Sequence, residues 1–216
     1  WITLKDSSSY TQNAMDLLDY LGISNFDNIN KYYNKKILYK KKDDADLNKI
    51  YLWIKRCDRI IMGKEISDYK SSNLNLLLNE LKIIRNNKFN EKELIQLFNK
   101  YGIYLVIEDA LPSTKIRGCS MVKGNNPCIY ITRYFKEKAS FYFTLYHELG
   151  HVKKDYNRLK NKIIINDDDN EKDIDNYALN EMIDSNTWNK IKVNINDLEH
   201  ICRENNIPLC FAYSRL

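Results

Sequence analysis

The stretch that decides the reading is Phe143-Thr144-Leu145-Tyr146-His147-Glu148-Leu149-Gly150-His151. It contains His-Glu-x-x-His, and the chain has only 3 histidines, so two of them fall here, four apart. An α-helix turns about 100° per residue, which brings positions four apart nearly one above the other. His147 and His151 then aim two imidazoles at one point. Zinc takes imidazole nitrogen and favours tetrahedral coordination. Glu148 emerges beside such a metal, within reach of a water in the open position. The metal lowers the pKa of that water from about 16 towards about 7, and the glutamate takes the proton during attack. On a helix, this motif marks a zinc hydrolase. The competing reading is a core helix that merely carries two histidines.

The flanks predict the helix, over about 138–153. Phe141, Leu145 and Leu149 recur at i, i+4 and i+8, with Phe143 and Tyr146 beside them, so most of its faces should be buried. Gly150 either leaves room for a close neighbour or is just a small residue on a packed helix. A catalytic zinc site has three protein ligands, so a third must come from elsewhere. Downstream, Ile174, Tyr177, Ala178 and Leu179 predict a helix over 171–184, with Asp167, Asp168, Asp169 and Asn170 placed to cap its start. Glu171 and Asp175 lie four apart on it. Glu171 could ligate zinc, and Asp175 could accept a hydrogen bond from a ligand imidazole. Both could equally be solvated acids. Asp155, four past His151, competes as third ligand. So does His200, which reads more simply as a half-buried structural histidine.

Phe-Thr-Leu-x-His-Glu-Leu-Gly-His followed by Glu-x-x-x-Asp-x-Tyr-Ala resembles the ImmA/IrrE metallopeptidase family, whose domain is gluzincin-like. Gly102–Ile107, Ile116–Ser120 and Pro127–Ile131 resemble that family's three strands. The tail Asn206–Leu216 looks like the closing helix of members fused to helix-turn-helix antitoxins or repressors. The good match covers roughly residues 95–216. A looser one includes Leu17–Ile23 and Tyr51–Cys57, similar to the helical linker of such fusions. The resemblance implies Zn2+ held by His147, His151 and Glu171, Glu148 as general base, and Asp175 behind the ligands. The family often has a histidine where this chain has Asp155, a departure that leaves the ligand set intact. The implied activity is cleavage or regulation of helix-turn-helix repressors. The implied partners are such a repressor or a toxin, with nucleic acid reached through a fused upstream domain.

Length allows one domain with a helical extension, or two small ones. A hydrophobic fraction of 44% is ordinary for a globular protein. No run is long and apolar enough to span a membrane, and nothing at the start resembles a signal peptide. The first residue is Trp1, so material is expected upstream. The 5 cysteines are scattered and without Cys-x-x-Cys, which predicts reduced thiols and a cytoplasmic protein. Cys119 and Cys128 read as small core residues. Net charge is +5; residues 1–100 hold 18 basic and 13 acidic side chains, leaving 16 of each in residues 101–216. The excess is densest at Lys35, Lys36, Lys40, Lys41 and Lys42, with Tyr32, Tyr33 and Tyr39 interleaved. That cluster reads as a solvated face ahead of a phosphate-binding one.

Along the chain, helices are predicted over 10–22, 25–42, 44–62, 70–86 and 90–101, the last opened by Asn90 with Glu93 three on. Strands follow at 103–108, 115–122 and 128–132, with another at Ile163–Ile165 and closing helices near 195–205 and 208–216. The expected fold is α+β: a small sheet packed on the motif-bearing helix, zincin-like, preceded by an all-helical region. The division is residues 1–90, helical, and 91–216, metallopeptidase-like. The expected function is a zinc-dependent endopeptidase. The alternative is a non-proteolytic sensory or binding domain of an antitoxin or transcription regulator.

Overall fold

The computed structural model describes residues 9–25, 27–28, 31, 37–39, 46–166 and 171–216. In chain order these form α1 (Tyr10–Leu21), β1 (Ile37–Tyr39), α2 (Leu47–Ile61), α3 (Leu74–Ile84), α4 (Glu91–Lys100), β2 (Tyr104–Glu108), β3 (Gly118–Lys123) and β4 (Asn126–Thr132). Then come α5 (Lys138–Lys154), α6 (Tyr156–Leu159), β5 (Ile163–Asn166), α7 (Glu171–Met182), α8 (Ser185–Val193), α9 (Leu198–Glu204) and α10 (Leu209–Tyr213). The fold is α+β, built on one mixed sheet in the order β1-β5-β3-β4-β2. β3 and β4 make an antiparallel hairpin, β2 lies parallel to β4, β5 meets β3 antiparallel at Ser120 and Ile164, and β1 runs parallel to β5.

Side chains alternate across a strand, so each strand feeds two cores. Leu105, Ile107, Ile129, Ile131 and Ile164 face the larger one, shared with α3, α4, α5 and the C-terminal helices. Val106, Cys119, Met121, Cys128, Tyr130, Ile163 and Ile165 face the other way, under α2. α2 covers them with Ile50, Trp53, Ile54, Cys57 and Ile61, a stripe of helical period. Its start is fixed by Asp46, whose carboxylate accepts from the amides of Asn48 and Lys49. Asn90 caps α4 in the same way through Lys92 and Glu93. Because both faces of the sheet are covered, its strands read as apolar runs rather than as an alternation.

The expected helix over 25–42 does not form at Ile37–Tyr39, which is an edge strand paired with Ile163–Asn166. The region before residue 90 is therefore not all helical. Three β-branched or bulky residues gain their backbone partners from a segment far along the chain, so no local period announces them. The rest of that stretch, including the lysines at 35, 36 and 40–42, lies outside the described residues, as do Asp167–Asn170. α8 is a helix the periodicity does not announce. Asp184 caps it, accepting from the amides of Asn186 and Thr187, and it buries only Thr187 and Ile191.

All five cysteines are free thiols, and only Cys210 is exposed. Burial raises the Cys57 and Cys119 thiols and pushes Cys128 up to about 12, so these act as small protonated core groups. Among the described residues, no helix is long and apolar enough to cross a membrane.

Candidate metal centre

α5 lies against the inner face of the sheet, and from Thr144 to Val152 every residue is buried. A helix enclosed on all sides needs apolar residues all round, and the sequence departs from this at Thr144 and at three strongly polar side chains, His147, Glu148 and His151. Those three are buried polar groups and must be satisfied in place. α7 runs beside α5, and the two touch where α5 has no side chain. A Cβ on Gly150 would lie 2.9 Å from Tyr177 Cδ1 and 3.1 Å from Ile174 Cγ2. Gly150 thus sets the separation of the two helices that carry the site, the first of the two roles open to it in the sequence.

The two imidazoles face each other through Nε2, at 3.2 Å. Glu171, at the start of α7, places Oε2 at 3.2 Å from His147 Nε2 and Oε1 at 3.8 Å from His151 Nε2. Among the described residues these are the three groups that could together hold a metal ion, all their donor atoms falling within 4.8 Å of one another. The outer ring nitrogens are each held by a carboxylate. His147 Nδ1 lies 2.9 Å from Asp175 Oδ1, and His151 Nδ1 lies 2.9 Å from Asp155 Oδ2. When both rings are neutral, a proton on each Nδ1 donates outwards and an Nε2 lone pair is aimed inwards on each.

That leaves electron-rich atoms pointing at one another, an arrangement a cation resolves. Donors 2.0–2.1 Å from a tetrahedral zinc lie about 3.3–3.4 Å apart, close to the separations of the two Nε2 atoms and of Glu171 Oε2. The third edge, from His151 Nε2 to Glu171, is longer at 3.8 Å, so the donor set fits a metal ion once the Glu171 carboxylate moves in by a few tenths of an ångström. Burial pushes the His147 pKa down, but hydrogen bonds to Asp175 and Glu171 outweigh it and raise the value to about 10. A cation arriving at Nε2 competes with that proton.

Glu148 points to the other side of the ligand pair. Its Oε2 accepts a hydrogen bond from Ser120 Oγ of β3 at 2.5 Å. A Cβ on Gly118 would lie 2.8 Å from Glu148 Oε1, so any other residue at that strand position would push the carboxylate from this place. Burial raises the Glu148 pKa, partly offset by His147 and His151. A raised carboxylate pKa suits a group that must both take and return a proton near neutrality. Glu148, His147, Glu171 and Asp175 line a cavity of about 240 Å3, walled also by Arg117, Phe143 and Thr144.

The structure brings His147, Glu148, His151, Glu171 and Asp175 together. It does not bring His200, which is exposed and pairs with Glu204 on α9. Asp155 arrives, but at Nδ1 rather than at the ligand side of His151. Tyr156, Tyr177, Tyr213, Arg117 and Arg215 are the phenolic and cationic groups that the sequence offers to steady an oxyanion, and of these Arg117 alone lines this cavity. The Tyr156 hydroxyl donates to the Asn125 carbonyl, the Tyr177 ring packs towards Gly150, Tyr213 is exposed, and Arg215 lines the adjoining cavity. Sequence reasoning misses Ser120 and Arg85. Arg85, just past α3, donates from Nη1 to the carbonyls of Glu181 and Met182 at 2.8 and 3.2 Å, closing the C-terminal end of α7. Both act across long sequence separations and leave no local signal.

Compared with known proteins, the chain matches no family model, no curated protein and no solved structure.

Proposed function

We propose that this chain is a zinc-dependent endopeptidase of the ImmA/IrrE kind with a zincin-like arrangement of sheet and motif helix. The observation that carries the reading is the pairing of a three-donor cluster with a buried carboxylate, Glu148, at the edge of an open cavity. Two histidines and one carboxylate also hold iron in oxygenases. A buried glutamate with a raised pKa beside the cluster favours hydrolysis instead. A bound zinc ion would supply the positive charge that acidifies water and polarises a carbonyl oxygen.

The protein's own contributions follow from the geometry. Asp175 and Asp155 fix the tautomers of the ligand imidazoles. Ser120 holds Glu148 Oε2, leaving Oε1 to receive a proton from water and pass it to the leaving amine. Arg117 is placed to steady negative charge on the carbonyl oxygen. The substrate would be a protein, with helix-turn-helix repressors the class suggested by the family resemblance, and a fused DNA-binding domain or a toxin as partner. Glu148→Gln should abolish cleavage of a repressor substrate while elemental analysis still finds about one zinc per chain. Undiminished cleavage by that variant sinks the mechanism, whereas zinc binding without cleavage by the wild type turns the reading to a binding or sensory domain.

A further inference from the structure

Next to the metal cavity lies a second, of about 220 Å3, and Arg117 and Phe143 line both. The two are neighbours along α5, one lined by His147 and Thr144 and the other by Ala139 and Ser140 nearer its N-terminal end. The second cavity has an apolar floor of Phe143, Leu179, Met182 and Phe211. At its far side stands Arg215, whose Nη1 donates to the carbonyls of Leu179 and Ile183 at 3.3 and 2.9 Å. Its guanidinium stacks on Trp188, 4.5 Å from the ring centre. One donor atom thus anchors the group and the ring fixes its plane.

No acidic side chain answers Arg215 among the described residues. Partial burial holds its guanidinium below the usual arginine range, the mark of a cation that lacks a counter-charge. Only Nη1 donates to these two carbonyls, so they do not engage the edge carrying Nε and Nη2. That edge matches a carboxylate with two parallel hydrogen bonds. At the junction with the metal cavity, Arg117 is exposed and adds a second positive charge.

We propose that this second cavity is a substrate subsite, which takes a bulky apolar side chain together with an adjoining carboxylate read by Arg215. The inference rests on the peptidase reading of the neighbouring cavity and names what that peptidase selects. The carboxylate is either an acidic side chain next in sequence to the apolar residue or the C-terminus of a chain.

The test uses the full chain, zinc-loaded and carrying Glu148→Gln so that peptides persist. Three acetylated peptides share one leucine: Leu-Glu amide, Leu-Gln amide and Leu with a free C-terminus. Binding is read by calorimetry. At least one carboxylate peptide should bind about tenfold or more tighter than the Leu-Gln amide, and which one identifies the source. Adding Arg215→Gln should erase the preference. Should that variant unfold, Arg117→Gln, at an exposed position, should reduce the preference instead. Equal affinity for all three peptides, or no binding of any, overturns the subsite. Cleavage of repressor by the wild-type chain is followed separately. Preference without cleavage leaves the subsite standing and removes the peptidase, and cleavage without preference does the reverse.

Discussion

Gly150→Ala is the most informative single substitution, because one methyl group bears on the two helices that carry the three candidate metal ligands. The added carbon would sit 2.9 Å from Tyr177 Cδ1 and 3.1 Å from Ile174 Cγ2. Non-bonded carbons prefer about 3.5–4.0 Å, so α5 and α7 must part by about 0.5 Å at this contact. The Tyr177 ring has little room to yield, since its hydroxyl end is enclosed. In stability the change is nearly balanced: alanine gains about 1 kcal/mol over glycine in a helix interior, and overpacking costs about 1–3 kcal/mol. A net loss of about 0–2 kcal/mol is expected in urea unfolding. The metal responds more sharply. His147 and His151 ride on α5 and Glu171 on α7, so the third ligand retreats by several tenths of an ångström, where a metal site tolerates about 0.2 Å. Zinc affinity, measured by competition with a chromophoric chelator, should fall about 10–100-fold, the range seen when outer supports are lost. Wild-type affinity in a folded Gly150→Ala protein would refute the claim that this contact sets the ligand geometry.

Asp175→Asn and Asp155→Asn should each weaken zinc binding about 10–100-fold by the same assay, since each replaces the charged acceptor that orients one imidazole with a neutral amide. If only Asp175→Asn does so, the Asp155 contact is incidental. The raised His147 pKa predicts opposite pH trends for apo and loaded protein. Its folded value lies above 6.5, so protonated His147 stabilises the apo protein fully below about pH 6.5, and that contribution is lost as pH rises through about 10. Zinc must displace that proton, so its apparent affinity should climb about tenfold per pH unit through the neutral range; a flat profile would contradict the assignment. Arg85→Leu leaves the carbonyls at the end of α7 without their charged donor. It should cost about 2–3 kcal/mol in denaturant unfolding, and a change below about 0.5 kcal/mol would show that water replaces the guanidinium.

Much of this site is legible in the sequence because its parts obey a helical period. His147 and His151 lie on one face of α5, and Glu171 and Asp175 on one face of α7. Spacing alone could not choose among Glu171, Asp155 and His200, because the choice depends on how two helices cross. Gly150, Ile174 and Tyr177 decide that, through contacts with no sequence period. Ser120 sits in a strand whose neighbours are apolar, and nothing local distinguishes a hydroxyl that meets Glu148 from one that meets water. The strand at Ile37–Tyr39 is hidden for a related reason: its partner is Ile163–Asn166, and a three-residue run is too short to show alternation. α8 is hidden because its buried face is only Thr187 and Ile191, too thin a stripe for a periodicity argument.

The cover that α2 places over the back of the sheet has a practical consequence. Val106, Cys119, Met121, Cys128, Tyr130, Ile163 and Ile165 form a continuous oily surface once residues 47–61 are gone. A fragment trimmed to the half that carries the candidate metal site would keep His147, His151 and Glu171 and still present that surface to water. It would stick to itself, and an inactive preparation of such a fragment would report on solubility rather than on chemistry.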